Sequence, residues 1–339
     1  MKKLFTFLLA LAANIGTMDA GIVNGTCGEN LKWELNTTTG ALIIEGGGDM
    51  NGWPSWTEYA SLIKSVSLPK GLTSIGYAAF YGCTSLTSIT IPDGITRIGT
   101  SAFADCTSLT SLELPESVLS IGMEGAFYNC GITSPLYNSH LFAYCPPSYS
   151  GVYSIPDGIT TIASGAFDRC TNLTSVIFPS SLSSIESYAF CRCSNLTSIT
   201  IPNSVTSIDE STFSYCTSLT SITIPNSVTS IKEGAFEGCS GLISINNYAE
   251  VPQQILEGRE VFSGVNKFIC KLYVPEEAIP LYRVATEWRD FAYIEAVEGL
   301  EGIENVTSIT TSKQMFLQDN QLFILRGNKV YTVTGQEIQ

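Results

Sequence analysis

Histidine is almost missing from this chain of 339 residues: His140 is the only one. Ser-His-Asp and Cys-His arrangements, and the paired-histidine metal motifs, need imidazoles that the sequence does not supply, and no neighbouring motif supports His140 in such a role. Positive charge is also scarce. Lys and Arg total 17 against 31 Asp and Glu, for a net charge of −14, and charged residues make up only 14% of the chain. A phosphate sheath would repel that balance, so nucleic acid is excluded as a partner. An anionic bilayer surface is disfavoured for the same reason. No Gly-rich phosphate loop with its Lys and no EF-hand spacing occurs. The acidic pairs Asp209-Glu210 and Glu276-Glu277 are adjacent in sequence, which suits a solvated turn and not two groups facing across a cleft. No catalytic residue, metal ligand or cofactor is therefore assigned.

Long apolar runs are missing too. Only residues 4–13 form one, too short to span a bilayer, so no membrane insertion is expected. Preceded by Lys2 and Lys3 and followed by small residues at Ala13 and Ala20, that run reads as an export signal over 1–20, cut after one of those alanines. Cys27 lacks the lead of a lipoprotein cleavage box.

What the chain has in abundance is repetition. Pro69, Pro92, Pro115, Pro156, Pro179, Pro202 and Pro225 punctuate one phrase, and every gap but one is 23 residues. Leu219, Ile222, Ile224, Pro225, Val228, Ile231, Phe236 and Cys239 spell it out. A fixed period of this length with an L-x-x-L-x-L core predicts a β-rich leucine-rich-repeat solenoid, in which each coil buries its apolar side against its neighbours. Alternation in Ile222-Thr223-Ile224 predicts one short strand per coil, ended by the proline, which cannot donate to a ladder.

Eleven cysteines in an exported chain would ordinarily suggest disulfides. Here Cys83, Cys106, Cys130, Cys170, Cys193, Cys216 and Cys239 recur once per coil, predicting a buried column of small free thiols. Cys27, Cys191 and Cys270 stand outside it, Cys145 of the irregular coil is expected to join it, and pairing among these four stays open. Cys191 with Cys193 is a lone C-x-C, without histidine or carboxylate support for a metal.

Around the repeats (62–247) the pattern changes. Residues 21–61 read as an N-terminal β-hairpin cap, with Leu31 to Leu35 running out and Ala41 to Ile44 running back. Trp33, Trp53 and Trp56 there either pack the cap or offer an aromatic platform to sugar. The short gap between Pro115 and Pro156 predicts an irregular coil over 131–151, in which Phe142 and Cys145 keep the spacing of Phe80 and Cys83. His140, Tyr137, Tyr144, Tyr149 and Tyr153 gather there and suggest a lip. Residues 248–298 read as degenerate repeats and a C-terminal cap closed by a short helix over 278–288. A β-rich tail follows over 303–339, with turns at Gly327-Asn328 and Thr334-Gly335.

The string Ala-Phe-x-x-Cys-x-x-Leu-x-x-Ile-x-Ile-Pro-x-x-Val-x-x-Ile, seen from Ala189 to Ile208, resembles the BspA-like leucine-rich repeats of anaerobic bacterial surfaces. The resemblance spans 24–297. It implies a right-handed curved solenoid, secreted or held at the cell surface in association with the outer membrane. It also implies adhesion to a host extracellular protein or glycan, and it carries over no catalytic or ligand residues. The tail from Asn305 is similar to the start of Bacteroidetes sorting domains.

Two outward positions per strand supply a binding face: Ser88 and Thr90, Ser111 and Glu113, Ser175, Ser198 and Thr200, Ser221 and Thr223. Their hydroxyls accept and donate without the desolvation cost of charge. Beyond the prolines, Lys70, Asp93, Glu116, Asp157, Ser180, Asn203 and Asn226 edge it. The same hydroxyls could instead tie neighbouring coils together. The expectation is a non-catalytic adhesion module. A structural envelope scaffold without a ligand, and a glycan-capture protein of a nutrient-uptake system, are the alternatives.

Overall fold

The computed structural model describes residues 21–123, 125–255 and 258–297, and the backbone of four strands beyond them. The export signal expected over 1–20 and the tail turns at Gly327-Asn328 and Thr334-Gly335 lie outside the described residues. The chain divides into two units, 1–296 and 297–339. The first is a β-solenoid of about 11 turns.

Its opening is a three-stranded antiparallel sheet, one strand more than the expected hairpin. Ile22–Gly28 pairs with Leu31–Asn36, which pairs with Ala41–Asp49. In the middle strand Leu31, Trp33 and Leu35 are buried and Lys32 and Glu34 exposed, the period-two pattern of a half-buried strand. Ala41–Asp49 then starts the solenoid by pairing in parallel with both Ser65–Ser67 and Gly71–Ile75. Sheet edges at an open end are thereby covered.

From Gly151 to Ile231 each coil carries two short strands where the sequence predicted one. The first precedes the proline. Ser198–Thr200, Ser221–Ile224, Ser244–Asn247, Lys271–Val274 and Tyr293–Ala296 form one parallel ladder, with Ser198 opposite Ser221 and Ser221 opposite Ser244. Proline then opens a turn, its carbonyl accepting from the residue three on, as in Val205 N–H to Pro202 O at 3.0 Å. The second strand follows, as in Ser207–Ile208 against Ser230–Ile231. There the serine faces outward and the isoleucine inward, so the final Ile of the phrase is a strand residue and not part of a loop.

A tight corner brings the chain to the phenylalanine. The Phe N–H donates to a carbonyl of the next coil, for example Phe190 to Thr212 O at 2.9 Å and Phe213 to Ala235 O at 2.9 Å. Two residues later the backbone is left-handed at Asp105, Arg169, Arg192 and Tyr215, with φ between 59° and 60°. A non-glycine there costs roughly 1–2 kcal/mol, offset by coil stacking.

The core is built of columns. Phe167, Phe190, Phe213, Phe236 and Phe262 stack with ring centroids 4.9 to 5.6 Å apart and planes within 13°. The thiols form a second column with a task of its own. Cys106, Cys193, Cys216 and Cys239 donate to the carbonyls of Phe80, Phe167, Phe190 and Phe213 in the preceding coil, at 3.0 to 3.2 Å. Cys83 and Cys170 are buried as well, whereas Cys130 is half-buried, its thiol 2.9 Å from Phe103 O. All eleven cysteines are free thiols. Burial pushes Cys27 up to about 11 and Cys239 and Cys270 up to about 12.

The far end closes with little helix. Within the 278–288 segment only Ile279–Tyr282 is α-helical. Trp288 is buried and donates to Gln253 O at 3.1 Å. Glu287 accepts from the Val261 and Phe262 N–H groups at 3.0 and 3.1 Å. Its carboxylate thus takes the place of the carbonyl that a further coil would present. In the second unit, Lys313–Gln318, Gln321–Arg326, Lys329–Thr332 and Glu337–Ile338 form an antiparallel sheet.

Candidate functional site

The irregular coil is where the expected register fails. Phe142 lies opposite Ile162, which lies opposite Ile185, so it occupies the second-strand isoleucine position and not that of Phe80. Cys145 N–H donates to Ala166 O at 2.7 Å, the bond a corner phenylalanine makes elsewhere. Three residues separate these positions here against five from Ile185 to Phe190, so the coil has lost its corner. Cys145 therefore stands outside the thiol column, although Cys170 Sγ reaches its carbonyl at 3.5 Å. The aromatic lip is not formed either. Tyr144 and Tyr153 are buried core residues, Tyr149 donates to Val152 O, and only Tyr137 is well exposed. His140 is held between coils, with Nε2 3.1 Å from Val118 O.

The predicted strand-face residues fall into two groups. Ser175, Ser198, Thr200, Ser221 and Thr223 lie on paired strands. Ser88, Thr90, Ser111 and Glu113 do not: residues 88–91 and 111–114 are in no ladder, and among the described residues their backbone makes no inter-coil hydrogen bond. The sheet face is thus interrupted where a continuous platform was expected. The stack is held there from its other side by Gly71–Ile75, Arg97–Ile98 and Ser120–Ile121. A depression of about 1210 Å³ lies over the interruption. Its lining includes Lys70, Ser88, Thr90, Asp93, Ser111, Glu113 and Glu116. Ser139 donates from both its hydroxyl and its N–H to Glu116, holding that carboxyl below its usual range.

The hydroxyls divide by task. Thr197, Thr220, Ser181 and Ser227 donate to carbonyls of the preceding coil at 2.7 to 3.2 Å. None of the predicted face hydroxyls (Ser88, Thr90, Ser111, Ser175, Ser198, Thr200, Ser221, Thr223) makes an intrachain hydrogen bond among the described residues. Inter-coil tying is done by their neighbours in sequence, which leaves the face hydroxyls to solvent or to a ligand.

Of the tryptophans, Trp33 and Trp56 are buried in the cap, edge to face at 5.7 Å. Trp53 is 54% exposed and stacks with Tyr77 and Tyr81 at 5.8 and 5.7 Å. Sequence reasoning passed over Tyr77, Tyr81, Tyr128 and Tyr215, all exposed at coil corners. Their signal is position, since Tyr81 and Tyr128 each follow the buried Phe directly.

Among the described residues no helix is long and apolar enough to cross a membrane, and no cluster of His, Cys, Asp and Glu could hold a metal ion. The family model described as "BspA type Leucine rich repeat region" matches residues 58–144 and 136–267, with six copies. No curated protein matches the chain. Three solved structures resemble it. A leucine-rich repeat protein from Eubacterium ventriosum is 21% identical, with 81% of this chain and 94% of that one covered and a TM-score of 0.45. A leucine rich cell surface protein from Faecalibacterium prausnitzii is 22% identical over 82% and 96% of the two chains, with a TM-score of 0.37. The pneumococcal vaccine antigen PcpA is 20% identical over 70% and 68%, with a TM-score of 0.48.

Proposed function

The chain belongs to the BspA-type leucine-rich repeat family, and from that premise we propose that it is a non-catalytic, exported adhesion protein of the cell surface. Its ligand is an extended segment of an extracellular protein, taken up on the interrupted strand face. The observation that carries this reading is the depression at residues 66–116, where unpaired strand backbone and unpartnered hydroxyls share one surface. A peptide laid alongside pairs with open backbone groups, the mode by which strands are added to exposed sheet edges. Ser88, Thr90 and Ser111 add hydrogen bonds at low desolvation cost. Asp93, Glu113 and Glu116 outnumber Lys70, which favours a basic segment. No aromatic anchor sits in the depression, so a single contact is weak and adhesion rests on many copies at a surface.

The test is capture of immobilised extracellular-matrix proteins by the purified chain, comparing wild type with Glu113→Lys and Thr90→Trp. Capture that falls at least tenfold in both variants, and falls with added salt, is expected. Unaltered capture in the variants removes the strand face, and failure to capture any matrix protein favours the scaffold reading.

A further inference from the structure

The lost corner of the irregular coil has a consequence on the corner side of the solenoid. With nothing projecting between them, the flanking coils approach each other. A Cβ on Gly125 would lie 3.9 Å from Gly165 O, although a whole coil separates the two in sequence. Arg169 places its guanidinium 4.9 Å from the ring centre of Tyr128 across the same gap. Beside it opens a cleft of about 340 Å³, lined by Tyr81, Asp105, Tyr128, Asp168, Arg169 and Arg192 among others.

The chemistry of the lining is asymmetric. At one end the Asp168 carboxylate lies 3.4 Å from Arg169 Nε and 3.7 Å from Arg192 Nη1, and its Oδ1 is buried without a hydrogen bond. Two guanidiniums against one carboxylate leave a surplus positive charge, in a protein whose net charge is −14. Both arginine side chains remain 47% exposed, with most of their fork of N–H donors unspent. At the other end Asp105 is acidic, accepting from Asn129 Nδ2 at 2.7 Å and facing the Tyr81 phenol. Between them stand the partly exposed side chains of Tyr81, stacked on Trp53, and Tyr128, beneath Arg169.

We propose that this cleft binds an acidic sugar, a pyranose bearing a carboxylate, as a site separate from the strand face. The carboxylate meets the Arg169–Arg192 pair, where forked pairing is strongest. The apolar face of the ring lies on the tyrosines, and ring hydroxyls donate to Asp105. A more highly charged anion such as phosphate is disfavoured by Asp105 and Asp168. A simple cation is disfavoured by the two arginines. Coils rise by roughly 4.8 Å, close to the length of one sugar unit, so a short oligosaccharide can continue toward the Trp53–Tyr77–Tyr81 stack.

Calorimetry on the full chain with sialyllactose, oligogalacturonate and lactose tests this and separates the two carboxylate sources. At least one acidic probe is expected to bind ten or more times tighter than lactose, with affinity falling as salt rises. Tyr128→Ala and Arg192→Gln are expected to lose tenfold or more, and Glu113→Lys, on the strand face, to change nothing. Arg192→Lys keeps the charge but not the fork and serves if the glutamine variant is unstable. Equal affinity for lactose and the acidic probes, binding of none of the three, or variants that bind like wild type would each overturn the proposal.

Discussion

Raising the pH is expected to unfold the reduced solenoid, and the buried thiols set where. Burial pushes Cys27 up to about 11 and Cys191, Cys239 and Cys270 up to about 12, from an ordinary 9.0, and pushes Cys193 and Cys216 well above it. These are raised values of a neutral acid. The folded state therefore keeps protons that the unfolded chain gives up, and the stabilisation is complete below 9 and lost as pH climbs toward the folded values. At pH 10 each thiol that stays protonated when folded but ionises when unfolded costs about 1.4 kcal/mol. Six such groups come to about 8 kcal/mol, the size of a typical domain's whole stability of roughly 5–15 kcal/mol. At pH 9 the loss is only about 2–3 kcal/mol by the same relation. Urea unfolding in a reducing buffer at pH 7, 8, 9 and 10 reads this directly. A variant with Cys193, Cys216 and Cys239 all changed to Ala is weaker at pH 7, because its thiol-to-carbonyl bonds are gone, but its slope against pH should be shallower. A slope unchanged by those three substitutions, or stability that is flat to pH 10, would refute the reasoning.

Two further predictions probe the packing of the coils. At Gly99 a Cβ would sit 2.7 Å from the Gly76 carbonyl carbon and the Tyr77 nitrogen of the preceding coil, whereas at Gly82, with φ +70°, it would meet nothing within 4 Å. Thermal melts should rank Gly99→Ala as the costlier, at about 3 kcal/mol against about 1 kcal/mol of purely backbone cost for Gly82→Ala; the reverse order would show that the coils can spread at no cost. Asn138 is buried, donates to Pro115 O and Val118 O at 3.1 and 3.0 Å, and accepts from His140 and Leu141 N–H at 3.1 and 2.8 Å. Asn138→Ala should cost about 3–5 kcal/mol by leaving those groups unpaired, against less than about 0.5 kcal/mol for the exposed Asn203→Ala, and a loss below about 1 kcal/mol at Asn138 would mean that water replaces the amide.

The solenoid could be read from the chain because stacking imposes the same inward side chain at the same place in every coil. Ile222, Ile224, Val228, Ile231 and Phe236 recur as letters because they recur as core. The second strand was hidden, since two residues such as Ser230–Ile231 are too short to show an alternation. Register in the irregular coil was misread for a sharper reason. Phe142 and Cys145 have the spacing of a corner phenylalanine and its thiol, yet they hold the second-strand and corner-phenylalanine positions, and letters alone do not tell that the missing corner lies between them. Which hydroxyls would be spent was equally illegible. Thr197 and Ser198 are adjacent and chemically alike, but one hydroxyl points at the coil behind and the other away.

The same deletion explains both why the core is seamed and why the corner side is open. Elsewhere the ring column passes from coil to coil in near-parallel stacks. At the shortened coil it steps from Phe127 to Tyr144 at 54° and resumes from Phe142 to Phe167 at 4°. At the proline turn of the same coil, side chains tie the chain to its neighbour, with Asn138 knitting the turn through four hydrogen bonds and His140 reaching Val118 O. A repeat that breaks its own rule and spends a buried amide and the only histidine on the repair has its local consistency relaxed at one place, and such departures gather at functional sites. On the outside of that seam, Tyr128 and Arg169 come together from coils that a full corner would hold apart, with Arg192 on the next coil. Restoring two residues between Phe142 and Cys145 should therefore close the cleft, read as loss of acidic-sugar binding in calorimetry, while leaving the strand-face depression at 66–116 as it is, because the two surfaces depend on different parts of the repeat.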